Sequence, residues 1–197
     1  MTSTFPFMEG AFFHIYNRGN NRENIFIEER NYGYFLRLWK KHIESAVEIY
    51  CYVLLKNHFH FLIRIKEDLN LFRKPTDKSL MPKAEQAFAN FFNAYARAFN
   101  ISTHRTGKLF QERFKRKPIL DASYLIQTVY YTHSNPQKHG FTYDFRVYPH
   151  SSYKSFIADK PSLLYRDDVI KWFGGIENFI KYHEMKHQIL IKIENLD

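Results

Sequence analysis

His58 and His60 stand one residue apart in the run Lys56-Asn57-His58-Phe59-His60-Phe61-Leu62-Ile63, which reads as a β-strand. A strand alternates its faces, so both imidazoles project from the same side. Farther along, Tyr131-Thr132-His133-Ser134-Asn135-Pro136 reads as the end of a helix. Residues four apart on a helix share a face, which makes Tyr131 and Asn135 neighbours. Together the two segments offer two imidazoles and an amide oxygen to a divalent cation, with a phenol beside them. That is the equipment with which a tyrosine attacks a phosphodiester. Mg²⁺ prefers oxygen ligands and Mn²⁺ also accepts imidazole, so either is the expected metal.

Each of these residues has a plainer use. A His-x-His pair can line a polar strand face. Asn before Pro is a common turn former, and Tyr131, beside Tyr130, can be a core aromatic. The conjunction is what points to chemistry. Tyr130 competes for the role of nucleophile, but its neighbour at i+4 is Ser134, a poorer ligand. It also lies about 100° round the helix from Tyr131, so it reads as a packing residue. His133 points elsewhere on a regular helix, to bond a neighbouring carbonyl or to contact DNA.

The elements that must position these groups follow from periodicity. Residues 11–17 read as a first strand and Arg18-Gly19-Asn20-Asn21-Arg22 as a basic turn. Residues 29–45 carry apolar positions at helical spacing. Residues 48–55 and 58–66 are apolar and β-branched around Lys56-Asn57, a hairpin. Lys74-Pro75-Thr76-Asp77-Lys78 is a break. A helix follows Pro82 to about residue 100, with Phe88, Phe91, Phe92, Tyr95 and Phe99 on its stripe. Thr106 to Pro118 is a basic strand or loop. A helix capped by Asp121 or Ser123 comes next and is ended by Pro136 and Gly140. Strand, helix, two strands, helix, strand, helix is an α+β order. It predicts an antiparallel sheet with helices packed on it, the ferredoxin-like arrangement. Residues 1–140 are expected to form this core. Residues 141–197, with helices over 167–173 and 176–193, are expected to form an appendage packed on it.

The 197 residues are 45% hydrophobic and 18% aromatic, enough for a packed core, and carry a net charge of +9. Such basicity favours a polyanionic partner or, more plainly, a solvated basic surface. Arg105, Lys108, Arg113, Lys115, Arg116 and Lys117 crowd one stretch with a single acid, Glu112, and with Phe110 and Phe114 between them. Phosphates would take the charges of Lys108, Arg113, Lys115, Arg116 and Lys117. The rings could stack bases or face the core, and the core is the preferred reading. Arg18 and Arg22 are a second candidate phosphate contact. The segment His183-Glu184-Met185-Lys186-His187 reads as a capping helix, or as a further contact to a nucleic-acid partner. The single cysteine, Cys51, excludes an intramolecular disulfide and sits in an apolar run that suits burial. No leader pattern and no run of membrane length is visible, so the expected compartment is the cytoplasm.

His58-Phe59-His60 and Tyr131-Thr132-His133-Ser134-Asn135-Pro136 together resemble the HUH single-strand endonucleases, and within them the single-tyrosine (Y1) transposases. The chain is most similar to the REP-associated tyrosine transposases. His14 to Arg22 resembles the opening strand and loop of that family, and Gly107 to Lys115 its Gly-x-Leu-Phe-Gln-x-Arg-Phe-Lys stretch. Tyr148 to Tyr153 resembles its Trp-Ser-Ser-Tyr stretch, with His150 where the family often has Trp. The resemblance spans roughly residues 10–185. It implies an enzyme that cuts and rejoins single-stranded DNA beside hairpins, REP-like or at transposon ends, through a 5′-phosphotyrosine. It further implies that His58, His60 and Asn135 hold the metal and that Tyr131 is the nucleophile. The insertion-sequence branch commonly has Gln where Asn135 stands. Relatives in that branch are dimers and the REP-associated ones are monomers, so both states stay open. The alternatives are a non-catalytic hairpin-binding protein derived from a transposase, and a phosphodiesterase that uses water in place of Tyr131.

Overall fold

The computed structural model of the protein describes residues 5–67, 83–158 and 162–194. The break expected at Lys74 to Lys78 lies outside them. In chain order the elements are β1 (Phe12–Arg18), α1 (Glu29–His42), β2 (Val47–Leu55), β3 (His58–Ile65), α2 (Lys83–Ser102), β4 (Lys115–Ile119) and α3 (Ala122–Lys138). Three further helices follow, α4 (Tyr153–Ile157), α5 (Arg166–Trp172) and α6 (Ile176–Glu194). The strands form one sheet in the order β2-β3-β1-β4, with every neighbouring pair antiparallel. This is the ferredoxin-like order that the element sequence predicts.

Both faces of the sheet are covered. Phe13, Ile15, Phe59, Phe61 and Ile63 point to one face and pack with Phe35 and Trp39 of α1 and Phe88 and Phe91 of α2. Leu62 and Ile119 point to the other, where they meet Val129 of α3, Phe145 from the 3-10 turn Phe145–Val147, and Tyr153, Phe156 and Phe179 from α4 and α6. Double coverage explains why the central strand β3 reads as a continuous apolar run. It also explains why polar groups on that strand, His58 and His60 included, end up buried. A bulge in β2 between Ile49 and Cys51 resets its register, and Tyr50 and Cys51 both join the α3-side core. Burial pushes the Cys51 thiol up to about 12.

The start and end of α3 set the site. Asp121 caps it, its Oδ1 accepting from the backbone N–H of Tyr124 at 2.8 Å. Pro136 does not end the helix, as the sequence reading expected, but lies within it. It sits in the last turn, so its missing N–H orphans only the carbonyl of Thr132, and the chain runs on to Lys138. Gly140, at φ +70°, makes the actual exit. Phe110 is buried in the α1/α2-side core and Phe114 packs against it, the core reading of these rings.

Candidate active site

Strand register builds the floor of the site. Tyr16 pairs with His60 and Arg18 with His58 across β1 and β3. Side chains of paired residues stand on the same face, so His14, Tyr16, Arg18, His58 and His60 all face α3. The His58 and His60 rings are 5.3 Å apart at 86°. Helix α3 lays Tyr131 edge-on against the sheet, 5.6 Å from His60 and 5.7 Å from His14 between ring centroids. The histidines are almost fully buried, whereas Tyr131 is 38% exposed. The phenol is thus reachable from solvent over a dry imidazole floor.

Asn135 completes the constellation one turn on. Its Nδ2 donates to the carbonyl of Tyr131 at 2.9 Å, which holds the carboxamide in place. Its Oδ1 is buried and has no hydrogen-bond partner among the described residues. A buried acceptor left unmade is costly, and this one lies next to His58, whose charged form it favours.

Protonation suits cation binding. Burial pushes His58 down to about 4, with His139 and Arg18 acting in the same direction and Asn135 opposing. Burial, then Lys117, pushes His14 down to about 4. Burial, then the neighbouring histidines, holds His60 well below the ordinary imidazole value. All three are neutral at pH 7. His58 Nδ1 lies 2.6 Å from the Asn57 side-chain oxygen, an obligate acceptor, so Nδ1 carries the proton and Nε2 keeps its lone pair. Among the described residues no group of three or more His, Cys, Asp or Glu could hold a metal ion. A cation seated on His58 and His60 would take its third protein donor from an amide, and Asn135 Oδ1 is the one beside them. Two neutral imidazoles and an orphaned amide oxygen fit Mn²⁺, and Mg²⁺ more weakly.

The basic residues separate. Arg18 lies close enough to both His58 and His60 to lower them, and its Nε is buried without a partner. Arg22 is exposed on the loop after β1, at φ 62°. That loop folds back at Gly19, where a Cβ would fall 2.0 Å from the Glu23 carbonyl oxygen, so only glycine fits. Lys115 and Lys117 pair with Tyr16 and His14 and share the site's face, with Lys117 Nζ bonded to the Tyr124 hydroxyl at 2.6 Å. Arg116 points through the sheet to the α1/α2 side, where Glu85 binds it at 2.7 Å and Phe7 lies under its guanidinium at 4.3 Å. Alternation along β4 takes it away from the other basic residues. Lys108 is exposed and paired with Glu112 at 3.2 Å, and Arg113 is exposed beside them.

His133 makes neither of the contacts expected of it. It is fully buried, with Nδ1 3.0 Å from His183 of α6 and Nε2 3.0 Å from the Ser152 hydroxyl. Ser152 also accepts from the backbone N–H of Tyr52. The Ser-Ser-Tyr stretch and α6 are thereby tied to α3, and the buried His183 and His187 make α6 a cover over α3. His150 stacks on Tyr32 at 3.4 Å, filling an aromatic place.

Three neighbours of the site were not singled out from sequence. His14 bonds His60, with Nε2 and Nδ1 2.9 Å apart. His139 meets the His58 ring at 4.9 Å. Lys138 lies over the Tyr131 ring at 5.0 Å. Spacing held a trace of each: His14 and Tyr16 share a strand face, His139 is i+4 from Asn135, and Lys138 is i+7 from Tyr131.

A search of solved structures finds the same fold in a REP-associated tyrosine transposase bound to a REP hairpin. The two share 17% identity and superpose with a TM-score of 0.60, over 86% of this chain and 93% of the other. No protein-family model matches the chain, and no curated protein sequence matches it. No helix among the described residues is long and apolar enough to cross a membrane.

Proposed function

We propose that the protein is a metal-dependent tyrosine strand transferase that cuts and rejoins single-stranded DNA beside hairpins. The observation that carries this is the placement of Tyr131. It is the one exposed member of a group whose other members, His58, His60 and Asn135, are buried and present uncharged donor atoms. The fold it shares with a transposase bound to a hairpin supports the choice of substrate.

In this reading Tyr131 Oη attacks the phosphorus. The new O–P bond forms as the bond to the 3′-oxygen breaks, leaving a 5′-phosphotyrosine and a free 3′-hydroxyl. The phenol proton passes to solvent at the open face, and the departing oxygen takes one from water. Mg²⁺ or Mn²⁺ held by His58, His60 and Asn135 would neutralise charge on the phosphate oxygens. Arg18 supplies a fixed positive charge next to them, and the exposed Lys115 and Lys117 lead the strand in along the same face. Attack of a 3′-hydroxyl on the phosphotyrosine reverses the step, so one site both cuts and joins. The sheet and α3 hold these groups, and α6 covers α3 through His183 and His187.

The test is a denaturing gel of the protein incubated with Mn²⁺ and end-labelled single strands that carry a hairpin with randomised flanks. A covalent adduct is expected, its label on the fragment downstream of the cut. Cleavage without adduct would favour water as nucleophile, and hairpin binding with neither would favour a binding protein.

A further inference from the structure

We propose that the cavity beside Tyr131 is a pocket for one nucleotide of the strand, the one adjoining the scissile phosphate. Its base would lie among tyrosine rings and its phosphate on lysines. This rests on the strand-transferase reading for its position in the strand, while the pocket's affinity for a nucleotide follows from its own chemistry.

The cavity holds about 590 Å³ and opens next to His60 and Tyr131, which form part of its wall. That volume lies within the range of roughly 300–1,000 Å³ usual for small-ligand sites. Three separate parts of the fold contribute to it: Tyr16 and Lys117 from the sheet, Tyr124 and Lys138 from α3, and Tyr182 and Lys186 from α6. None of the residues lining it is acidic. Lys138 and Lys186 have no ion pair among the described residues, and they stand close enough for Lys186 to lower Lys138, second only to burial. Two like charges held together without a counter-charge repel unless an anion joins them. A phosphate is the anion that the neighbouring chemistry provides.

The rings supply the second half. Lys186 lies over the Tyr182 ring at 5.7 Å and Lys117 over the Tyr124 ring at 4.8 Å. Each cation therefore comes with an aromatic surface, the pairing by which single-stranded nucleic acids are held. Gln127, exposed on the rim, offers an amide donor and acceptor for a base edge. An inorganic anion would use the lysines alone, and only a nucleotide would use both.

The wild-type protein is photocrosslinked to short hairpin-bearing single strands with 5-iodouracil placed at successive positions, and the crosslinks are mapped by mass spectrometry. A crosslink to Tyr124 or Tyr182 from a single position is expected. Tyr182→Ala should weaken binding of the same strand about tenfold, and removing the base at that position should abolish the difference between variant and wild type. Lys186→Ala should weaken binding too, with Lys186→Arg restoring it. Covalent adducts at Tyr131 with crosslinks only outside the cavity would overturn the pocket and leave the strand-transferase reading intact. Crosslinks in the cavity with no adduct on any strand would overturn that reading and keep the pocket. Loss of binding in Lys186→Ala that persists with the base removed, without a crosslink, would reduce the site to a phosphate contact and overturn it as a nucleotide pocket.

Discussion

His14 and His60 share a buried hydrogen bond of 2.9 Å between Nε2 of the first and Nδ1 of the second. One of the two must donate. If His60 donates, its Nε2 lone pair is free for a cation and His14 holds the ring in that tautomer, as outer hydrogen bonds do for metal-bound histidines. Replacing His14 with Phe removes the acceptor and should weaken Mn²⁺ binding by about 10- to 100-fold. Replacement with Gln, whose amide oxygen also accepts, should recover most of that loss. Calorimetric titration of the metal-free protein measures both, and equal affinity in all three proteins would show that His14 does not orient His60.

Tyr130 and Tyr131 are adjacent and differ in surroundings. The Tyr130 ring is buried against Phe145 and Tyr182, while Tyr131 is 38% exposed above His60. Tyr131→Phe removes only the oxygen proposed as nucleophile. It should abolish the covalent adduct on denaturing gels and leave hairpin affinity within about twofold, a difference of roughly 0.4 kcal/mol. Tyr130→Phe should keep the adduct. The reverse pattern would move the nucleophile to Tyr130.

The basic stretch should divide by function. Lys115→Gln with Lys117→Gln should reduce the slope of log affinity against log salt by about 1.4, two phosphate contacts at roughly 0.7 each for a single strand. Arg116→Gln should leave the slope alone. It breaks a largely buried pair with Glu85, at a cost of up to about 3–5 kcal/mol. At about 2–4 °C per kcal/mol for a chain of this size, its thermal midpoint should fall measurably. A changed salt slope in Arg116→Gln would place its guanidinium on the DNA side.

Local pattern was enough for whatever depends on neighbours in the chain. Period two put His58 and His60 on one face and spacing by four put Tyr131 beside Asn135, and the structure keeps both relations. The order of strands and helices was legible for the same reason. What depends on register was hidden. Nothing near His14 indicates that β1 slides against β3 until its ring meets His60. Nothing within 113–117 states which side of the sheet Arg116 will take. His133 and His183 find each other across 50 positions. Pro136 misled because it removes only one helical hydrogen bond, the one to the Thr132 carbonyl, and only Gln137 and Lys138 of α3 follow it.

Acid should loosen the metal-free fold in a defined window. His14, His58 and His183 are each pushed down to about 4, by burial in every case, against about 6.5 in an unfolded chain. Between those values the unfolded state binds more protons than the folded one, so stability rises with pH there and falls as the solution is acidified. The contribution is fully present above about pH 6.5, where both states are neutral, and is lost as pH falls through about 4. Each group adds up to about 1.4 kcal/mol per pH unit within the window. Denaturant melts of the chelator-treated protein from pH 7.5 to 4.5 should therefore show a steep decline below 6.5. His183 lies away from the proposed metal donors, so added Mn²⁺ should leave its share of the decline unchanged while opposing that of His58. A stability flat from pH 7 to pH 5 would mean that these imidazoles are not held neutral by burial, and that His58 is not poised as a cation ligand.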